Sequence, residues 1–451
     1  MKTKKIIILL SIPLIISRVN AQSGDTKSYN FTIQQAVDFA YQNQAKVKNA
    51  LLDEQIASQK VKEVTSIGLP QLNGSFDIKD YVEIPTSLLP GQFFGAPPGT
   101  YIPVKFGTQY NATAGLSASQ LLFDGGYIVA IQATKLVSEL SKQLTNRTKI
   151  EIATNVRKAY YSVLIGDERM KLMNANVERI KKLSEDTKAL NANGFVEKID
   201  VDRITLAYNN LMVEKEKVQR FLDLSLNLLK FQMGMEQSTT LALTDKLSDI
   251  TFQVMDVSAE KVDYKKRVEY SILTSQKRAN ELDLKRNRFG YFPTVVAYAA
   301  ANANAQRNDF DFFDTKKSWY PIGIIGATIN VPIFDGLQKH HRIQQSKLNL
   351  MKSENDLKSI ESAIDLDIAN AKTLLQNSSQ SLDMQKQNIA LAEEVFRISK
   401  LKYDQGIGSN IEVITAETAL KESQANYFTA LYNALIAKVE VEKANGTLYI
   451  D

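Results

Sequence analysis

The side chains able to do covalent or redox chemistry are few, and their spacing does not suit it. The chain holds two histidines, His340 and His341, and no cysteine. Neighbouring helical residues project about 100° apart, so this pair cannot form the i, i+4 couple of a helical zinc site. A cysteine-free exported chain has neither a disulfide framework nor a thiolate ligand or nucleophile. No phosphate-binding glycine loop, metal cluster or nucleophile–base pair is visible, so no enzymatic activity, cofactor or metal is expected. What does recur is a carboxylate a few residues after a glycine. Gly194 to Val201 reads Gly-Phe-Val-Glu-Lys-Ile-Asp-Val, and Gly406 to Val413 reads Gly-Ile-Gly-Ser-Asn-Ile-Glu-Val. Asp200 and Glu412 thus take matching places, 212 positions apart. As first-turn acids they suit the helix dipole, and the glycines suit a helix end that needs positive φ.

A second echo frames those segments. Leu122-Phe123-Asp124-Gly125 is matched by Ile333-Phe334-Asp335-Gly336, 211 positions on. An apolar pair followed by Asp-Gly marks a turn, here from an alternating segment into a charged helical one. The interval is far beyond any solenoid period and reads as a duplication: 22–240, then 241–451. No Pro/Gly/Ser-rich linker divides the two.

Residues 1–21 read as a cleaved signal peptide. Lys2, Lys4 and Lys5 precede an apolar run, Ile6 to Ile16, and Val19-Asn20-Ala21 offers a cleavage site. Cleavage would remove four cations and no acid, so the formal charge of +5 becomes +1. The basic balance belongs to the precursor and gives no reason to expect nucleic acid.

Along the mature chain the period alternates between helix and strand. Thr32 and Gln35 form a capping box for a helix expected to run through Leu51, Ile56 and Val61 to Gly68-Leu69-Pro70. Within 70–122, Leu72, Gly74, Phe76 and Ile78, then Tyr110, Ala112, Ala114, Leu116 and Ala118, alternate with mostly polar residues. The length and pattern fit transmembrane strands and equally a half-buried soluble hairpin. The connector Glu83–Gly107, rich in Pro and aromatics, suits an external barrel loop or a disordered insertion. A helical tract of sixty-odd residues then ends near Asn191. After Gly194 a second helix carries the stripe Val201, Ile204, Tyr208, Leu211, Lys215, Val218, Leu222, Ser225, Leu229, near a heptad repeat with two polar intruders. Phe221, Leu224 and Leu228 widen its apolar face, so a plain amphipathic helix fits as well. A short strand is expected at Thr251–Val254. The pattern then repeats: a charged helix from Val262 to Asn287, alternating strands within 291–333 with Trp319 and Tyr320 at one start, a long helix from Phe334, a break at Gly406-Ile407-Gly408, and a last helix from Ile411 to Ala444.

No run after the signal peptide is apolar for the roughly 18 residues of a membrane helix. Four strands cannot close alone, because membrane barrels need at least about eight and an open edge in lipid leaves backbone groups unpaired. A membrane reading therefore requires several copies to share one barrel. A periplasmic coiled-coil scaffold accounts for the helices and leaves the strands unexplained.

This order of elements, done twice, resembles the TolC-like outer-membrane efflux proteins. Phe31-Thr32-Ile33-Gln34-Gln35-Ala36, the two Phe-Asp-Gly junctions, and Tyr403-Asp404-Gln405-Gly406 followed by Glu412-Val413 look like that family's landmarks. The resemblance implies a mainly α fold with membrane β: a homotrimer with a long α-helical barrel in the periplasm and a shared twelve-stranded barrel in outer-membrane lipid. It implies a passive conduit for small molecules or secreted substrates, with a periplasmic adaptor and an inner-membrane pump as partners. Asn193-Gly194-Phe195 and Gln405-Gly406-Ile407 look like the family's Val-Gly-Leu tips that dock the adaptor, with the first and third residues changed. Asp200, Tyr403 and Glu412 fall in its periplasmic gate: the first two as a hydrogen-bonded pair across neighbouring helices, the third as a threefold acidic ring favouring cations. Thr415 replaces a second acidic position and Gly408 an arginine latch.

Overall fold

The computed structural model describes residues 28–247 and 262–448. The signal peptide and the strand expected at Thr251–Val254 lie outside them. In chain order the elements are β1 (Ser28–Phe31), α1 (Ile33–Asn43), α2 (Ala45–Ser66), β2 (Gln71–Asp80), β3 (Thr86–Pro90), β4 (Tyr101–Lys105), β5 (Tyr110–Phe123) and α3 (Gly125–Ala192). There follow α4 (Lys198–Met233), β6 (Thr240–Leu243), α5 (Val268–Phe289), β7 (Thr294–Arg307), β8 (Tyr320–Asn330), α6 (Gln338–Asp404) and α7 (Asn410–Ala444). The duplication is visible in the lengths: α3 and α6 have 68 and 67 residues, α4 and α7 have 36 and 35. At 1.5 Å per residue each long helix spans about 100 Å.

The four alternating segments form one antiparallel sheet in the order β2-β5-β7-β8. Register sorts the side chains by chemistry. Phe76, Ala114 and Ala303 lie side by side on one face, and Asp77, Thr113 and Asn304 share the other. β2, on one edge, is exposed at every position, and β8, on the other, at all but one. Among the described residues no helix is long and apolar enough to cross a membrane.

Below the sheet, α3 pairs with α4 and α6 with α7, and α3 also packs on α7. The core runs along this bundle through Tyr160, Leu211, Leu229, Leu420 and Leu435. Of the expected stripe on α4, Ile204, Leu211, Val218, Leu222, Ser225 and Leu229 are buried, whereas Val201, Tyr208 and Lys215 are only half-buried. Ser225 is tolerated there because its hydroxyl meets Ser162 Oγ at 3.1 Å.

Several boundaries differ from the sequence expectation. The first helix breaks at Gln44, whose extended backbone (φ −68°, ψ 127°) ends α1 while its side chain caps α2. The end of α4 passes tightly against this break: a Cβ on Gly234 would lie 2.7 Å from Gln44 Cα. Beyond the break α2 runs through Leu51, Ile56 and Val61 as expected, with Leu51 and Ile56 exposed. The connector after β2 is neither a plain loop nor disorder, since β3 and β4 pair within it. The second charged helix starts at Val268, not Val262, and the third long helix at Gln338, not Phe334, because Gly336 and Leu337 both turn left-handed (φ 64° and 68°). The last helix begins one residue before Ile411.

One polar knot ties the halves together. β1 pairs in parallel with β6, and just beyond β6 the Asp245 carboxylate accepts the Ile33 N–H at 2.8 Å. The fully buried Tyr160 hydroxyl faces Asp245 Oδ2 at 2.9 Å and the Phe31 carbonyl at 3.0 Å. Asp245→Ala leaves the Ile33 N–H without its acceptor and the Tyr160 hydroxyl with the Phe31 carbonyl alone, which should cost about 1–3 kcal/mol. Thermal melts followed by helical circular dichroism should show a clear drop in midpoint, and a smaller one for Tyr160→Phe.

Candidate functional site

The two Phe-Asp-Gly junctions fold differently. Asp124 is the N-cap of α3: Oδ1 accepts the Tyr127 N–H at 2.6 Å, and Oδ2 takes the Thr294 hydroxyl of β7 at 3.1 Å. Phe123 ends β5, and Gly125 packs so closely on Phe289 that a Cβ would lie 2.9 Å from its carbonyl oxygen. In the second copy Asp335 instead binds Lys339, through its N–H at 3.1 Å and its ammonium at 2.9 Å. There Phe334 is exposed and Gly336 takes φ 64°.

At the opposite end of the helices the two glycine breaks are built alike. Gly194 and Gly406 take φ 78° and 74°, and a Cβ on either would meet nothing within 4 Å. Backbone conformation, not crowding, therefore selects glycine here. The Phe195 N–H closes onto the Leu190 carbonyl at 2.9 Å, and Ile407 onto Lys402 at 3.0 Å. These bonds satisfy the last helical carbonyls and leave Phe195 and Ile407 as exposed apolar points. Asn193 and Gln405 are the C-cap residues of α3 and α6.

The two breaks lie side by side, because Asn410 Nδ2 donates to the Asp200 carbonyl at 2.9 Å. The Asp200 carboxylate faces Arg203 at 3.6 Å on its own helix. Tyr403 does not meet Asp200 within the protomer; its hydroxyl pairs with Thr187 Oγ1 at 3.3 Å. Glu412 is exposed in the first turn of α7, where Ser409 Oγ caps its N–H at 3.4 Å. Thr415 is exposed as well. Thr187 and Asn410, the residues that hold this end together, carry no recurring sequence motif. Among the described residues no group of three or more His, Cys, Asp or Glu could hold a metal ion.

Residues 36–234 and 276–447 match the profile of the family described as Outer membrane efflux protein. The chain belongs to that family. Relatives include the outer membrane protein TolC of Escherichia coli, 22% identical over 361 residues that cover 76% of this chain and 71% of TolC. The antibiotic efflux pump outer membrane protein ArpC of Pseudomonas putida is 22% identical over 345 residues, 75% of this chain and 69% of its own. Among solved structures, VceC of Vibrio cholerae superposes with a TM-score of 0.68 at 16% identity, covering 92% of this chain and 96% of VceC. The open-state MtrE channel of Neisseria gonorrhoeae gives 0.71 at 16% identity, covering 92% and 88%. The fold is the one expected: mainly α, with long paired helices joined to four β-strands of one sheet, internally duplicated, in a family of outer membrane efflux proteins.

This outer membrane efflux protein also carries a buried polar layer that the sequence reading missed. Asn176 Nδ2 on α3 donates to Gln424 Oε1 on α7 at 2.7 Å, and Arg179 donates to Asn176 Oδ1. The Arg179 guanidinium lies 4.9 Å from the Phe396 ring centre on α6 and 3.9 Å from Glu417 on α7. Glu417 is only 5% exposed, and neither carboxylate oxygen has a hydrogen-bond donor. Beside it a cleft of about 310 Å³ between α3, α4 and α7 is lined by Arg203 and Lys421. The one sequence signal was the seven-residue spacing of Glu417 and Gln424 on an otherwise apolar stripe.

Burial pushes the Glu417 carboxyl up, against the opposing pull of Arg179 and Lys421. The folded protein thus holds this proton more tightly than the unfolded chain, between the raised value and the ordinary glutamate value of 4.5. Through that window this site's contribution to stability grows as pH falls, and below it the gain is complete. Glu417→Gln should melt later than the parent at neutral pH, and the gap should shrink on acidification. Melting curves of both proteins at the two pH values check this.

Proposed function

We propose that the protein is a passive export conduit, a homotrimer whose 12 strands close one outer-membrane barrel and whose helices form a periplasmic tunnel. A periplasmic adaptor docks at the tips, and an inner-membrane pump supplies the energy for small molecules or secreted substrates. The observation that carries this reading is the four-stranded sheet, apolar on one face and open at both edges, joined without a linker to two long helical hairpins. Unpaired edges are untenable in lipid, and three copies supply a strand number within the range of known barrels. A second support is a stripe on α4, Leu206, Val213, Phe221, Leu224, Leu228 and Phe231, exposed along the outside of the protomer. A stripe of that length marks a contact surface, and a neighbouring copy fits it. A periplasmic scaffold has no use for such a sheet. The two structural repeats are assigned to 22–240 and 241–451.

Within this reading the gate lies at Asp200, Tyr403 and Glu412, close to the glycine breaks. Asp200 carries a carboxylate next to the joint between the two tips, and Tyr403 reaches from α6 to α3 through Thr187. Asn193-Gly194-Phe195 and Gln405-Gly406-Ile407 form the docking tips, with Phe195 and Ile407 as apolar contacts. The protein itself does no chemistry.

Light scattering in mild detergent, with the detergent mass subtracted, should give three chains; a monomer soluble without detergent overturns the conduit. Asp200→Ala combined with Tyr403→Phe should raise single-channel conductance in planar bilayers, and an unchanged value removes both from the gate. Gly406→Val imposes left-handed strain of about 1–2 kcal/mol on an exposed turn. It should reduce efflux while trimers still reach the membrane.

A further inference from the structure

The segment between β2 and β5 is a built element with no assigned role. β3 and β4 pair over five residues, and a short 3-10 turn, Gly91–Phe94, caps them. The Gly91 N–H donates to the Thr100 carbonyl at 2.7 Å, and Ala96 closes back onto the Gly91 carbonyl at 3.0 Å. The Thr100 hydroxyl binds the Pro97 carbonyl at 2.7 Å. Pro90, Pro97 and Pro98 stiffen the turn further. This fixed tip presents Phe93 and Phe94, 80% and 60% exposed. Two rigidly held phenylalanines in water mark a contact surface rather than an ordinary loop.

The base of the hairpin shows which side of the sheet it serves. A cleft of about 350 Å³ separates Ile84, Pro85 and Phe106 from Lys79, Asn111 and Gln306 on three adjacent strands. Those three polar residues share one row of the sheet by register, so the hairpin base lies on the polar face. In a membrane barrel the polar face lines the lumen. The loop between β7 and β8 does the opposite. Its Phe312, 4% exposed, and Trp319 pack on Ala112 and Ala305 of the apolar face, and Trp319 also meets Phe76. One loop thus belongs to the lipid side of the rim and the other to the pore.

Size decides what the hairpin meets there. Twelve strands spaced about 4.8 Å apart and tilted by about 40° enclose a radius of about 12 Å. Five residues of β3 extend about 17 Å, enough to reach the axis. We propose that the Phe93–Phe94 tips of three copies meet over the barrel mouth and close it from outside with an apolar plug, a second closure independent of the periplasmic gate. The occupant of each exposed tip is the same tip of another copy of this chain. The inference rests on the trimeric-conduit reading and adds to it an outer lid that parts as cargo leaves.

The cysteine-free sequence makes the test direct. Phe93→Cys, at an exposed site the protomer fold does not need, should give covalent dimers when outer membranes are oxidised with copper phenanthroline. Phe313→Cys, equally exposed on the β7–β8 loop, should stay monomeric on the same gel. Trimers by light scattering without cross-linking at Phe93 overturn the lid and leave the conduit standing; absence of trimers overturns both. Closure itself is read from outside the cell. Ser117→Cys sits on the polar face of β5, and its labelling by a bulky polyethylene-glycol maleimide should rise severalfold when Phe93→Ser and Phe94→Ser are added. Equal labelling overturns the plug.

Discussion

Every backbone amide along the outer edges of β2 and β8 must find a partner before this sheet can stand in lipid, and among the described residues no further strand pairs with either edge. That requirement sets the rest of the structure. It makes the protomer incomplete and demands other copies. It also fixes the chirality and spacing of what hangs below, because α2, α3, α5 and α6 connect directly to β2, β5, β7 and β8. A ring of strands closed by hydrogen bonds becomes a ring of helices closed by side chains. The helices therefore inherit a wall-like layout, in which each needs an apolar seam on both flanks, and α4 has them: one buried stripe and one exposed stripe.

Within the wall, α3 is the member that the others share. It packs on α1, α2, α4, α5 and α7, and its contacts with α7 change character along their length. Higher up, Arg157 pairs with Glu442 at 2.6 Å and Lys158 with Glu440; lower down, the Asn176–Gln424 and Arg179–Glu417 layer takes over. A purely apolar seam of this length could slip by a turn at little cost. Polar pairs at fixed positions penalise slippage, as single buried polar residues do in coiled coils. The strained partner is Glu417, held near a cation but without a hydrogen-bond donor, and its removal relieves a cost without unpinning the register that Asn176 and Gln424 hold.

Much of this was legible in the sequence. The strands could be read because alternation at period two survives wherever one face meets lipid and the other water, and the glycine breaks because positive φ leaves few residue choices. The capping box at Thr32 and Gln35 is present as expected, with both bonds formed. What stayed hidden depended on tertiary neighbours. The break at Gln44 comes from the end of α4 passing beside it, some 190 residues later in the chain. The hairpin β3–β4 hid among prolines because its order comes from carbonyl contacts within the turn, not from alternation. At the candidate gate, Tyr403 was found by motif, but its partner Thr187 sits on a different helix with no motif to mark it.

The two tips share a backbone and differ in chemistry. The first leads into α4 with Glu197 at the cap position and no side-chain hydrogen bond, and shows a phenylalanine; the second leads into α7 with Ser409 as a working cap, and shows an isoleucine. In a ring of three copies these six ends alternate around the tunnel rim as two sets of three. A partner with sixfold geometry would then grip an aromatic seat and an aliphatic seat in turn, beside helix starts of unequal firmness. Such a rim has threefold rather than sixfold symmetry: neighbouring ends differ, and every second one is alike. A force applied evenly by six partners would be answered unevenly, and the less firmly capped set would yield first.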